Sequence, residues 1–160
     1  MSSSLLTLLR TLAEREIEFM VVGGMAGVLQ GAPVVTADLD IVHRRSNDNV
    51  QRLLSTLIDL EAVFRGDSRK LEPKASHLMG QGHVLLITRL GPLDVFCEVG
   101  GRGFEELLPH CDSMQLGQQL EAQVVRLDEL IRLKRAAGRP KDLVALPILQ
   151  ATLDELQRKK

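Results

Sequence analysis

Two aspartates one residue apart, Asp38 and Asp40, lie within an apolar stretch, VVTADLDIV, at residues 34–42. On a β-strand such a pair projects to one side with its Cα atoms about 7 Å apart, near enough to share bound cations. Magnesium suits a site of this kind, since it takes one or two carboxylates and completes its shell with phosphate oxygens and water; manganese is the alternative ion. A solvated surface pair would not need Leu39, Ile41 and Val42 around it. Upstream, Gly23-Gly24 separates the apolar run Phe19 to Val22 from the small, helix-prone run Met25 to Leu29. Without Cβ atoms the backbone there can approach a phosphate closely, and the first turn of the following helix offers free N–H groups to it.

The elements that must position these residues are legible from periodicity. Leu5, Leu8, Leu9 and Leu12 fall at helical spacing behind Ser3 and Ser4, either of which can cap the helix. Phe19 to Val22 predict a short buried strand, Met25 to Leu29 a helix, and Thr36 to Val42 a strand with Asp38 and Asp40 on one face. A third helix starts at Asn47 or Asp48, with Val50, Leu53, Leu54, Leu57 and Ile58 as its core stripe. Residues 65–82 predict mostly loop, with at most one short strand at His77 to Met79. HVLLIT and LDVFCEV then predict a β-hairpin turning at Gly91-Pro92, whose second strand carries Asp94, Phe96 and Glu98 on one face. A helical FEELL piece, weak strands at Met114 to Leu116 and Gln123 to Val125, and a helix from Leu127 to Ala137 follow. Gly138-Arg139-Pro140 breaks that helix before a last one from Lys141, in which Pro147 should produce a kink or interruption unless it opens a new first turn. The fold class is therefore α/β (α+β), a small mixed sheet with helices packed around it and further helices at the C-terminus. One domain is expected over residues 1–160, its core at about 17–100 and its C-terminal helical part at about 126–160.

Strand, Gly-Gly, helix and then Thr-x-Asp-x-Asp within a hydrophobic strand resembles the nucleotidyltransferase superfamily with a polymerase-β-like active site. The likeness is to its minimal bacterial members, of the toxin–antitoxin and kanamycin nucleotidyltransferase type, and covers Phe19 to Val42, the LDVF strand and KRAAGRPKDL. It implies that Gly23, Gly24 and Thr36 contact a nucleoside triphosphate, that Asp38 and Asp40 hold the metals, and that Asp94 is the third carboxylate, which can also take a proton. It further implies that Lys134 and Lys141 neutralise triphosphate charge, with Asp142 orienting one of them through an ion pair. The same basic residues would equally suit a helix end, where they favour its dipole. The chain departs from the pattern at Val34, where related sequences commonly carry arginine.

The implied activity is magnesium-dependent transfer of a nucleoside monophosphate from ATP or another nucleoside triphosphate to a hydroxyl of a protein, RNA or small molecule. The rival is a catalytically inactive binding protein of the same fold, working with a small partner protein in a toxin–antitoxin pair. A third reading is an α/β regulatory domain that binds a nucleotide without chemistry. A net charge of −1 supplies no overall field for nucleic acid or an anionic membrane, so phosphate must be handled by local patches; Arg44-Arg45 is expected to be a solvated patch, or to meet the phosphates of an RNA acceptor. With no Trp or Tyr and four Phe, stacking platforms for bases have little to be built from. Cys97 and Cys111 lack metal or disulfide spacing and predict small buried hydrophobes in a reducing, cytoplasmic setting. His43, His77, His83 and His110 show no metal spacing and are expected to be ordinary surface or turn residues. No apolar run approaches the ~20 residues of a membrane span, and the N-terminus meets charge too early for a signal peptide.

Overall fold

A computed structural model describes residues 3–117 and 119–160. One seven-stranded mixed sheet organises the chain, in the order β3-β4-β5-β2-β1-β7-β6. Its middle is β1 (Phe19–Val22), antiparallel to β2 (Leu39–His43), which runs parallel to β5 (Gly91–Phe96). On one side β5 pairs antiparallel with β4 (Val84–Thr88), and β4 with the two-residue β3 (Val63–Phe64). On the other, β1 runs parallel to β7 (Glu121–Val125), which pairs antiparallel with β6 (Cys111–Gln115). Every residue of β1 is buried, as a strand covered on both faces requires.

The helices cover the sheet with stripes set by their spacing. In α1 (Ser3–Glu14), Leu5, Leu8, Leu9 and Leu12 are all buried. The helix already includes Ser3, so Ser3 and Ser4 occupy its first turn and the cap position falls outside the described residues. α2 (Gly23–Leu29) follows β1 directly. α3 (Asn47–Asp59) begins where expected, with the Ser46 hydroxyl accepting from the Asn49 N–H. Its inner face differs from the expected stripe: Asn49 and Thr56 are buried and Ile58 is 61 % exposed. Asn49 earns its place through hydrogen bonds to Glu18 N–H and to the carbonyls of Glu18 and Arg44, which tie the start of β1 to the end of β2. After the short α5 (Phe104–Leu107), α6 (Leu127–Ala137) ends on Gly138 in the left-handed conformation, and α7 (Pro140–Arg158) starts two residues later.

Three local expectations are corrected. The strand expected from Thr36 starts at Leu39, because the Thr36 hydroxyl donates to the Asp38 carbonyl and holds that segment out of the ladder. The hairpin turns at Arg89-Leu90, and Gly91-Pro92 belongs to β5; the Thr88 hydroxyl closes the turn by donating to Gly91 O and accepting from Leu90 N–H. His77 to Met79 lie in a short helix, α4 (Ala75–Met79), whose start is capped by His77 Nδ1 accepting from Lys74 N–H. Pro147 lies inside α7 without ending it; the turn that loses a hydrogen bond carries the exposed Leu143, where water can replace the missing donor. Among the described residues no helix is long and apolar enough to cross a membrane.

Candidate active site

Asp40 on β2 stands directly across from Asp94 on β5 in the parallel ladder, and Asp38 lies just before β2. The three carboxylates each present an oxygen within 4.8 Å of the others. Leu39 and Ile41, which alternate with Asp40, are fully buried on the opposite face, so the strand's packing aims the acid. Asp94 is flanked by Leu93 and Val95, also fully buried, and is itself 8 % exposed. Glu98, the other acid in that stretch, lies past the end of β5 and is exposed.

Burial is the largest cause that raises the Asp40 carboxyl from its ordinary 3.8 to about 7. The charges of Asp94 and Asp38 and a hydrogen bond with Asp94 raise it further, and Lys134 pulls the other way. Asp40 Oδ1 is buried without a hydrogen-bond partner. An orphaned carboxylate oxygen among three converging acids is the donor set that a divalent cation satisfies, so these residues fit a hard metal ion.

Gly23 has a left-handed backbone (φ 67°), and a Cβ there would collide with the Asp40 carboxylate. At Gly24 a Cβ would sit 3.0 Å from the Thr36 side chain. The glycine pair thus gives Asp40 and Thr36 their room at the end of β1.

Beside the acids opens a cleft of about 260 Å³. Gly24, Val34, Thr36, Asp38 and Asp40 form one wall, and Lys134, Arg139 and Lys141 line it from α6 and α7. Asp142, fully buried at the start of α7, organises these cations. It accepts from Lys134 Nζ at 3.2 Å and from Arg139 Nε at 2.7 Å, while Lys141 forms no ion pair with it. Burial alone would raise the Asp142 carboxyl, but the hydrogen bonds and charges of Arg139 and Lys134 outweigh it and hold the group below its ordinary value. A larger hollow of about 720 Å³, between Gly31 and Pro33 and the second half of α7, contains none of these residues.

Arg139 in that cleft was visible in the sequence only as part of a basic run. Arg65, which no local pattern singles out, donates from Nη2 to Asp94 Oδ1 at 2.6 Å. His43 departs from expectation: it is buried, with Nε2 2.8 Å from the Leu78 carbonyl, and desolvation lowers its pKa. Arg44 and Arg45 are committed to the fold. Arg44 pairs with Glu18 and Glu105 over the Phe104 ring, and Arg45 donates to the Met79 and Gly80 carbonyls. Cys97 is buried and Cys111 half-buried, and neither forms a disulfide.

No protein-family model matches the chain, and no curated protein matches it in sequence. Solved structures do match its fold. A Thermotoga maritima protein assigned as a nucleotidyltransferase aligns over 100 % of this chain and 96 % of its own, with a TM-score of 0.59 at 15 % identity. The antibiotic-resistance factor ANT(2'')-Ia aligns over 96 % of this chain and 86 % of its own, with a TM-score of 0.60 at 14 % identity. The chain has the nucleotidyltransferase fold.

Proposed function

We propose that this chain, built on the nucleotidyltransferase fold, is an enzyme that transfers a nucleoside monophosphate from a nucleoside triphosphate to a hydroxyl of a protein, RNA or small-molecule acceptor. The observation that carries the reading is the convergence of Asp38, Asp40 and Asp94, the first two of which line a cleft whose other wall is basic. Acids alone would repel a polyphosphate, and cations alone would only bind it.

Asp38, Asp40 and Asp94 would hold magnesium, or manganese in its place. Bound there, the metal supplies Lewis-acid activation of the attacking hydroxyl and charge neutralisation at the leaving pyrophosphate. Lys134, Arg139 and Lys141 meet the triphosphate charge. Lys134 and Arg139 are pre-aimed by Asp142, so little side-chain entropy is lost when the phosphates arrive. Gly24 and Thr36 set the floor on which the phosphates lie, and Gly23 keeps Asp40 in place beneath it. The cleft volume falls just below the roughly 300–1,000 Å³ of whole small-molecule sites, which suits the polyphosphate part of a nucleotide. In the transfer, the acceptor oxygen bonds to the α-phosphorus, its proton passes to Asp94, and the bond from the α-phosphorus to the bridging oxygen breaks to release pyrophosphate.

The second reading, a catalytically inactive binding protein of a toxin–antitoxin pair, draws on Val34, an apolar residue in the cleft wall. Incubating the purified protein with a lysate, magnesium and radiolabelled nucleoside triphosphates separates the two. The enzyme reading expects label in an acceptor that chelator abolishes; no labelling and no triphosphate bound supports the binding protein, whereas triphosphate binding without labelling supports an α/β regulatory domain.

A further inference from the structure

Arg65 follows β3 directly and is stitched to its neighbour β4 twice. Its backbone N–H donates to the Leu85 carbonyl at 2.9 Å, and Nη1 of its side chain donates to the Leu86 carbonyl at 3.0 Å. Nη2 then reaches across β4 to Asp94 Oδ1 on β5 at 2.6 Å. Leu85 is also the ladder partner of Asp94, so backbone and guanidinium of one residue grip the strand pair at the level of the third acid. The pair is sheltered, with side-chain exposures of 32 % for Arg65 and 12 % for Asp94. Among the described residues Arg65 is the one cation hydrogen-bonded to any of the three acids, and it does not line the cleft that holds Lys134, Arg139 and Lys141. The two sets of positive charge reach the acids by different routes, Arg65 through β3 and β4 and the others through α6 and α7.

Asp94 needs such a restraint. It stands opposite Asp40, and two carboxylates a few ångströms apart push each other's side chains away from the shared site. We propose that Arg65 is a positioning residue of this site, which holds Asp94 Oδ1 and so keeps Asp94 turned toward Asp38 and Asp40 as the third metal ligand. The proposal rests on the transferase reading above. It depends on the planar fork of arginine, because one guanidinium serves the Leu86 carbonyl and the Asp94 carboxylate at once, which an ammonium group does with neither the same reach nor the same fixed angle. Since Arg65 lies outside the basic cleft, its loss should spare the grip on triphosphate and damage the metal site.

The test uses the full chain with Arg65→Gln and Arg65→Lys, Mn²⁺ binding followed by electron paramagnetic resonance, and transfer kinetics. For Arg65→Gln the expected result is roughly 10- to 100-fold weaker Mn²⁺ binding, the range seen when partners of metal ligands are removed. At saturating Mn²⁺ its kcat falls while KM for the triphosphate stays within about threefold. Arg65→Lys lies between Arg65→Gln and the wild type in both measures. In an Asp94→Asn background, Arg65→Gln should add nothing further to the loss of Mn²⁺ affinity, since the two act through one interaction. Wild-type Mn²⁺ affinity in a folded Arg65→Gln overturns the proposal, as does an additive double variant; if Arg65→Gln does not fold, wild-type affinity in Arg65→Lys does the same. A wild-type protein that binds Mn²⁺ through the acids yet transfers no nucleotide overturns the function alone, and the Mn²⁺ series still decides the role of Arg65. A wild type that binds no Mn²⁺ overturns both.

Discussion

Asp40 and Asp94 occupy the same rung of the parallel ladder between β2 and β5, so two acids far apart in the chain are brought side by side by strand register alone. A one-residue slip of either strand would turn one of them to the opposite face of the sheet. Their positions are therefore as well determined as the core residues Leu39, Ile41, Leu93 and Val95 that lock the register.

The first prediction concerns those acids. Asp38→Asn and Asp40→Asn each should reduce transfer to background while the protein still melts cooperatively. Asp94→Asn should cut kcat by roughly 10²–10⁴-fold with a smaller change in triphosphate affinity, as expected for a group acting mainly in the transition state. Glu98→Gln, exposed beyond the strand end, should be silent. Full activity in Asp38→Asn or Asp40→Asn, measured on preparations checked by melting, would remove the metal-site assignment.

A second prediction follows from the raised Asp40 carboxyl. Its folded value of about 7 lies above the ordinary 3.8, so between those values the folded chain binds a proton that the unfolded chain has released. Stability of the metal-free protein should then fall as pH rises through that window and level off above it. At about 1.4 kcal/mol per pH unit the ceiling is on the order of 4 kcal/mol, less whatever water in the open cleft screens. Asp40→Asn should accordingly raise the melting temperature at pH 8 and leave it unchanged near pH 3. An equal effect at both pH values would show that the carboxyl is not strained by charge.

Third, magnesium and triphosphate should stabilise the protein together far more than either alone, because the metal needs phosphate oxygens to complete its shell. Thermal-shift curves with each ligand, with both, and with both plus excess chelator make the comparison. Equal shifts from nucleotide with and without chelator would contradict it.

Fourth, Gly23→Ala should destabilise the fold and disable the site in one step, since it combines a left-handed backbone with a collision against Asp40. A cost of about 1–3 kcal/mol corresponds to roughly 2–12 °C in melting temperature for a chain of this size. Gly82→Ala, with open space around its missing Cβ, is the control and should melt like the wild type. A Gly23→Ala protein of wild-type stability would mean that Asp40 moves aside freely.

Residues whose partners are near in sequence or whose pattern is periodic could be read from the chain. The leucines of α1, the buried run of β1 and the span of α6 were legible because burial repeats along them. Asp38 and Asp40 stood out because acids interrupt an apolar stretch. What was not legible depends on single contacts: the Thr36 hydroxyl delays the start of β2, Thr88 closes the hairpin two residues early, and His77 caps α4. Arg65 meets Asp94 across 29 residues of sequence, and Asn49 meets Glu18 across 31. No window of local sequence carries either contact. Ile58 fits a helical stripe yet faces solvent, because Asn49 and Thr56 take the inner positions through hydrogen bonds that hydrophobic periodicity does not register.

If the α-phosphorus of a nucleoside triphosphate is the reacting centre, the position of the label decides where it is recovered. Wild-type protein, magnesium and a lysate containing acceptor are incubated with triphosphates labelled at the α-phosphate or at the γ-phosphate, with Asp40→Asn run in parallel. The structure of the site predicts α-label on the acceptor, γ-label recovered only in pyrophosphate, and neither with Asp40→Asn. Label on the acceptor from the γ-phosphate, or α-label transfer that survives Asp40→Asn, would contradict it.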